Sequence, residues 1–149
     1  MSDDAMWETC NCTTVRRASR RLARMYDEAI SAAGLRSTQW SILISLRESG
    51  PLPLGMCAEK LTMDRATLTH NLRPLERDGL VTVTPDSADR RSKRVELTDD
   101  GRERLRLGRD GWSQAQDRVE EHLGTADASE LRRLLRRLLE IPIGADAST

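Results

Sequence analysis

The stretch RATLTHNLRPLERDGL, residues 65–80, decides how this chain folds. Leu68, Leu72 and Leu75 recur every three or four residues, which predicts a helix with one narrow apolar stripe. Asp64 stands directly before the stretch and can accept a hydrogen bond from the first free amides of that helix. The other face carries small, polar and basic side chains, for which a solvated surface is the ordinary role. The segments before and after residues 65–80 indicate whether this polar face has a further role.

Three helices are predicted before residue 65. Apolar residues at helical spacing and helix-stopping glycines and prolines place them at residues 13–33, 39–48 and 54–61. Gly34 ends the first helix, and GPLPLG, residues 50–55, separates the second from the third. A three-residue turn, TMD, then leads into the stretch at residue 65, so two helices and a tight turn come in succession.

A pair of short strands is predicted directly after that stretch. LVTVT, residues 80–84, and KRVELT, residues 93–98, are rich in β-branched residues. The polar loop PDSADRRS, residues 85–92, connects them. Helix, turn, helix and then a hairpin with a charged tip is the order of a winged helix-turn-helix. We therefore expect a mainly α fold with a small β-hairpin wing.

Two further helices are predicted after the hairpin. Thr98 can cap the first, in which Gly108 and Gly111 permit either close helix approach or a bend. The second runs from Ala128 to Ile141 and ends before Pro142. The predicted organisation is a flexible tail, an N-terminal helix, a winged helix-turn-helix domain, two C-terminal helices and a second tail. Their predicted ranges are residues 1–12, 13–34, 35–98, 99–141 and 142–149.

Composition narrows the class of protein. Of the 149 residues, 3% are aromatic and none is Phe, so the core must be aliphatic, which favours helices. The 24 basic and 24 acidic residues cancel, and any electrostatic attraction to a partner must be local. There is no apolar run of about 18 residues and no signal-like start, so we expect a soluble cytoplasmic protein without a membrane segment. The three cysteines are interpreted as thiols.

The polar face of residues 65–80 and the hairpin tip together suit double-stranded DNA. A major groove about 12 Å wide admits one helix, whose side chains must donate or accept at base edges. Arginine on the tip can enter the adjacent minor groove, and basic neighbours can bind phosphate. We expect Asp89 to brace the guanidinium of Arg91. The predicted DNA contacts are Arg65, Thr67, Thr69, His70, Arg73 and Arg77 on the helix, and Asp89, Arg90, Arg91 and Lys93 on the hairpin.

The sequence resembles the MarR family of bacterial transcription regulators. The resemblance rests on MDRATLTHNLRPLERDGLV, residues 63–81, and on DRRSKRVELTDDGR, residues 89–102, which fits the family's D-x-R…LT pattern. It implies a homodimer, paired through the first and last helices, that binds a pseudo-palindromic operator with one recognition helix per half-site. It also implies a regulator, expected to be a repressor, that an effector releases from DNA. His70 stands where many family members have arginine, which bears on base preference.

The same resemblance implies a sensor site between the dimerisation helices and the DNA-binding lobe. Tyr26, Trp40 and Trp112 are candidates for contacting an aromatic effector, although large side chains on apolar stripes more often form core. No cofactor is required. A small-molecule or oxidant effector would be the partner at this site.

Cys10 and Cys12 offer a second route to sensing. They precede an arginine-rich helix, whose charge favours the thiolate, and can oxidise or bind a soft metal ion. A disulfide between them would be strained, so pairing with Cys57 or with the partner subunit is favoured if one forms. Incidental thiols in a loose tail are the alternative interpretation.

Two other functions compete with DNA binding. An enzyme is disfavoured, because no Ser-His-acid set, phosphate-binding glycine loop or metal-binding histidine cluster is present, and His70 and His122 have no evident partners. A winged-helix protein-protein interaction module without specific DNA binding is the remaining alternative. In that case Arg73 and Arg91 would be dispensable.

Overall fold

The computed structural model describes residues 3–143. Within that range the chain forms α-helices and a small antiparallel sheet, and the prediction of a mainly helical winged helix-turn-helix is confirmed. The elements are α1 Asp3–Thr9, α2 Asn11–Ala29, α3 Ser37–Ser49, β1 Leu52–Pro53, α4 Leu54–Lys60, α5 Arg65–Arg77, β2 Val81–Pro85, β3 Lys93–Leu97, α6 Asp99–Leu123 and α7 Thr125–Leu139. The predicted helices and strands lie within a few residues of these bounds.

The N-terminal region differs from the flexible tail predicted for residues 1–12. Asp3–Thr9 form α1, and the guanidinium of Arg17 on α2 lies 5.2 Å from the centre of the Trp7 ring. A cation over an aromatic face is attractive, and this contact links the short helix to the longer one. The apolar residues of this segment do not recur at a helical spacing, so the sequence did not predict a helix here. Residues 144–149, most of the predicted C-terminal tail, lie outside the described residues.

The start of α2 also differs from the prediction. The helix begins at Asn11 instead of residue 13, Cys10 is its N-cap, and the backbone N–H of Thr13 donates to Cys10 Sγ at 3.4 Å. The helix ends at Ala29, a single 3-10 turn follows at Ser31–Ala33, and Gly34 takes the left-handed conformation that stops the chain there.

The core is aliphatic, as the composition requires. Leu68, Leu72 and Leu75 on α5 are buried, which confirms the predicted stripe. They belong to one cluster with the buried faces of α3 and α4 and with the sheet. Cys57 lies in the same cluster, where burial raises the pKa of its thiol.

The sheet has a third strand that the sequence did not predict. Its order is β1-β3-β2, with Leu52 opposite Val95 and Val83 opposite the same residue from the other side. β1 is only two residues long and includes Pro53, too short for a strand pattern in the sequence. It fastens one side of the hairpin to the connection between α3 and α4.

Gly108 and Gly111 serve close helix approach. A β-carbon on Gly108 would lie 2.5 Å from Cζ3 of Trp40, and one on Gly111 would lie 1.9 Å from the carbonyl oxygen of Ala29. α6 runs through both positions without interruption. Of the two predicted roles, the structure supports close approach.

The chain divides into two compact units between Trp112 and Ser113. The first holds α1 to α5, the sheet and the first half of α6, so the helix predicted to dimerise at residues 13–34 shares a unit with the winged helix. In the second, Arg132 pairs with Glu120 at 2.9 Å, and Arg133 pairs with Glu130 at 2.6 Å. One face of α7 exposes large apolar side chains, namely Leu131, Leu134, Leu138 and Leu139, while arginines are exposed elsewhere on the helix.

Candidate nucleic-acid interface

The first turn of α5 is built around Asp64. Its carboxylate accepts the backbone N–H of Thr67 at 2.7 Å and the Thr67 hydroxyl at 2.8 Å. These hydrogen bonds, the backbone one first, hold the pKa of Asp64 below its ordinary value. The predicted cap is confirmed, and it also fixes the Thr67 side chain on the exposed face.

The polar face of α5 is open to solvent along its length. The recognition-helix residues predicted to contact DNA are all exposed, while the leucine stripe opposite is buried. Pro74 does not end the helix, which continues to Arg77. The exposed predicted residues are Arg65, Thr67, Thr69, His70, Arg73 and Arg77.

The hairpin tip is ordered by carboxylates that bond to the backbone. Asp89 accepts the N–H of Arg91 at 3.0 Å, whereas Asp86, 5% exposed, accepts the N–H of Ala88 at 3.1 Å. Arg94 lies 3.8 Å from Asp86 and donates to the carbonyl of Pro51 at 3.1 Å. Asp86 and Arg94 therefore anchor the base of the hairpin.

Asp89 makes a different contact from the one expected, and its role at DNA stays a prediction. Its carboxylate was expected to brace the Arg91 guanidinium, but it is occupied by the backbone two residues on, in an Asx turn. An aspartate side chain loses less conformational entropy when it binds a nearby backbone amide than when it binds the end of a flexible arginine side chain. Arg91 is consequently left with an exposed side chain and no described ion pair.

The recognition helix and the hairpin face one common hollow of about 370 Å³, which we call the basic groove. Leu72, Val83 and Leu54 form its apolar lining. The sequence-predicted residues that line it are Arg65, Thr69, Arg73, Arg91 and Lys93. The other predicted contacts are exposed but do not line the basic groove. They are Thr67, His70, Arg77, Asp89 and Arg90.

The basic groove carries a positive charge that the rest of the chain does not compensate locally. Four basic side chains face one acidic side chain, Glu76, for a net charge of +3. None of the four forms an ion pair within residues 3–143. Sequence reasoning missed Glu76 and Ser92 as members, because helix periodicity alone places Glu76 on a flank and gives no position for a loop serine.

Replacing Asp64 tests the construction of this interface. We expect Asp64→Ala to lower the Tm by a few degrees, because the Thr67 amide loses its acceptor. The pKa of Asp64 is lower in the folded chain than in the unfolded one, so its stabilisation is full above the unfolded pKa and is lost as pH falls through the folded pKa. Thermal melts from pH 7 downward should therefore show the two Tm values converging.

The matched control is Asp117→Ala, at an exposed position within α6. Its Tm difference from the unsubstituted chain should be small and should not follow the same pH course. A gap between Asp64→Ala and the unsubstituted chain that stays constant down to strongly acid pH would contradict the capping role.

Two of the candidate sensor aromatics meet in the structure. The rings of Trp40 and Trp112 stack with centroids 6.5 Å apart and planes 16° apart. They line a hollow of about 320 Å³ together with Ile44, Arg47, Glu48, Leu105 and Arg109. Tyr26, the third candidate, is not among the residues that line this hollow. The pair is thus partly core, as most such aromatics are, and partly wall of a small cavity.

The two N-terminal thiols differ in environment. Hydrogen bonds from Thr13, from its side chain first and then its backbone, lower the pKa of Cys10. Cys12 lies exposed in the first turn of α2, for which Cys10 is the N-cap. Over residues 3–143 no group of three or more His, Cys, Asp or Glu is gathered as a metal site, and a soft metal ion at Cys10 and Cys12 stays a prediction.

Comparison with known proteins identifies the class. Winged-helix regulators share this fold: the transcriptional regulator MosR of M. tuberculosis, solved in complex with DNA, superposes with a TM-score of 0.80 at 37% identity, covering 88% of this chain and 94% of MosR. Residues 35–93 match the profile of the MarR family. The chain belongs to the MarR family of transcriptional regulators.

Two curated relatives support the assignment. The transcriptional activatory protein BadR of Rhodopseudomonas palustris is 35% identical over 104 residues, which is 66% of this chain and 59% of BadR. The organic hydroperoxide resistance transcriptional regulator of Bacillus subtilis is 30% identical over 90 residues, 60% of this chain and 61% of that protein. The matches thus span about six tenths of these relatives' length.

Between residues 3 and 143 the structure has no helix long and apolar enough to cross a membrane.

Proposed function

We propose that this protein is a transcriptional regulator that binds double-stranded DNA specifically through the basic groove and its two flanks. The observation that carries the proposal is the meeting of Arg73 on α5 and Arg91 on the hairpin in one exposed cationic hollow. In that arrangement α5 enters the major groove and reads base edges, while the hairpin tip reaches the neighbouring minor groove and phosphates. Because bacterial DNA lies in the cytoplasm, the protein acts there.

The working unit in this proposal is a homodimer. α7 exposes a row of leucines, with Leu139 68% exposed, and α2 buries none of its residues within the single chain. Apolar faces of this kind mark protein-protein contacts. Two copies joined through these helices present two recognition helices to a pseudo-palindromic operator, one per half-site about one helical turn apart. A dimer bound over a promoter blocks transcription from it, and in this proposal the protein is therefore a repressor.

The effector part of the proposal has two candidates. The stacked tryptophans and the nearby Arg47 and Arg109 suit a small planar anion, and MarR-family regulators bind small-molecule ligands. Cys10 suits an oxidant, since its lowered pKa enlarges the thiolate fraction at neutral pH. Similarity to the organic hydroperoxide resistance regulator of B. subtilis supports a hydroperoxide as that oxidant.

Removal of the N-terminal thiols distinguishes these candidates. A hydroperoxide oxidises the Cys10 thiol to a sulfenic acid and is itself reduced to the alcohol. We expect this to weaken operator binding by about tenfold, a typical size for coupling between two sites. Cys10→Ser combined with Cys12→Ser should retain full affinity after the same treatment, measured by gel shift. Cys57→Ala, which removes only the buried thiol, is the control and should respond like the unsubstituted protein; an unchanged response in the double variant would rule out these thiols.

Selection from a pool of random duplexes tests the proposed function itself. Specific regulation predicts enrichment of an inverted repeat. Two basic grooves bring eight basic side chains, and if half of them neutralise phosphates, the logarithm of the affinity should fall against that of the salt concentration with a slope of roughly −4. If no duplex is enriched, the winged helix is instead a protein-protein interaction module, and Arg73 and Arg91 are dispensable.

A further inference from the structure

Gly55 is the residue of α4 that lies against the Arg65 side chain. A β-carbon built on Gly55 would stand 2.8 Å from Nη2 and 3.4 Å from Cζ of Arg65. The guanidinium therefore occupies the space that any other side chain at this position would take. The obstruction concerns only the far end of a flexible arginine and no backbone atom, so a methyl group there would displace Arg65 and leave the helices in place.

The donors of the Arg65 guanidinium are free for an external acceptor. Arg65 is exposed, and within the described part of the chain no hydrogen bond or ion pair involves it. It lines the basic groove and also a second hollow of about 440 Å³ on the α4 side, and Ser92 of the hairpin lines both. Arg65 therefore borders both hollows, as the first residue of α5 and one turn before Thr69 on the same face.

We propose that Gly55 is a positioning residue that holds the Arg65 guanidinium against α4 so that its outer edge binds a DNA phosphate. This inference rests on the proposed function and assigns Arg65 a contact to the backbone of DNA in place of base readout. A guanidinium presents two parallel N–H groups to a phosphate, and this geometry is lost when the plane is tilted. Because Gly55 has no side chain, the Arg65 guanidinium packs directly against α4, and this contact restricts the tilt of its plane.

The choice of glycine runs against helix stability. Gly55 lies within α4, and no left-handed backbone angle at this position requires glycine. Alanine is the better helix former, so a purely structural role would be served at least as well by alanine. The space needed by Arg65 supplies the reason for glycine here.

The test compares Gly55→Ala, Arg65→Ala and the double variant with the unsubstituted dimer on a selected operator. We expect Gly55→Ala to keep or raise the Tm and to lower operator affinity by about 100-fold, the size of one lost charged hydrogen bond in each of the two protomers. The salt slope should lose about 2, one phosphate contact per protomer, and affinity for unrelated duplexes should fall by the same factor. The double variant should bind no worse than Arg65→Ala alone, because Gly55 acts only through Arg65.

Arg106→Ala is the matched control, since it removes an exposed arginine on α6 whose partner is Glu103. It should leave the salt slope unchanged. Additive losses in the double variant, full affinity of Gly55→Ala, or a loss confined to particular operator bases would each overturn the inference. A marked fall in the Tm of Gly55→Ala would do so too. Failure of the unsubstituted protein to select any duplex would instead overturn the proposed function, and this inference with it.

Discussion

Arg73→Ala combined with Arg91→Ala, which removes four arginines from the dimer, should weaken operator binding by about 1,000-fold and leave the dimer intact. Each well-placed arginine contributes roughly 1–3 kcal/mol to discrimination or to phosphate binding, and the two side chains grip DNA from opposite flanks of the basic groove. Both are exposed and free of described ion pairs, so truncation removes contacts to DNA without breaking contacts within the chain. Fluorescence anisotropy with a labelled operator measures the loss, and sedimentation measures the dimer.

A charge-matched control separates this effect from a general loss of positive charge. Arg102 and Arg106 are also exposed arginines, but they lie on α6 and pair with Asp99 and Glu103. Their double alanine variant should bind the operator with nearly full affinity. Equal losses in the two double variants, or unchanged binding by Arg73→Ala with Arg91→Ala, would remove the basic groove as the DNA site.

Gly111→Ala is expected to have the largest effect on stability. The added methyl group would lie 1.9 Å from the Ala29 carbonyl oxygen and 2.7 Å from its carbon, so α2 and α6 must move apart. Overpacking of this kind costs about 3 kcal/mol, more than the gain of up to about 1 kcal/mol from replacing glycine in a helix. For a chain of this length the net cost of about 2–3 kcal/mol should lower the Tm by roughly 4–12 °C, measured in thermal melts followed by circular dichroism.

Gly55→Ala is the natural control for that measurement, because its β-carbon meets only a movable arginine. It makes the same chemical change in a helix and should not lower the Tm. A Gly111→Ala protein as stable as the unsubstituted chain would mean that α2 and α6 do not pack through this glycine.

The winged helix was predictable because its signals are local. Leu68, Leu72 and Leu75 repeat at the helical period, and Asp64 is three residues before the amide of Thr67 that it accepts. The hairpin likewise follows from two β-branched runs around a polar loop. Each of these features is decided by residues within a few positions of one another.

Features that depend on distant contacts were not predictable. β1 exists only because β3, more than 40 residues later, pairs with it. The stack of Trp40 on Trp112 joins residues 72 positions apart, and spacing alone allowed either a bend or close packing at Gly111. In each case the partner is set by tertiary packing.

The candidate site divides in the same way. Periodicity indicated which side chains of α5 face outward, but convergence of Arg73 with Arg91 required the hairpin to fold toward that face. Asp89 contacts the backbone of Arg91 and not its guanidinium, because a nearby amide competes better for the carboxylate than a flexible arginine does. Gly55 gave no signal, because its partner Arg65 is ten residues away on another helix.

The attachment of the hairpin base has a mechanical consequence. Arg94 donates to the carbonyl of Pro51, directly after α3, while Trp40, Ile44 and Arg47 of α3 line the tryptophan hollow. α3 thus forms part of the wall of the tryptophan hollow, and the residues just after its end contact the base of the hairpin. A ligand that displaces α3 by about 1–2 Å, an ordinary size for a helix shift, is therefore expected to move the hairpin as well and to separate the two flanks of the basic groove.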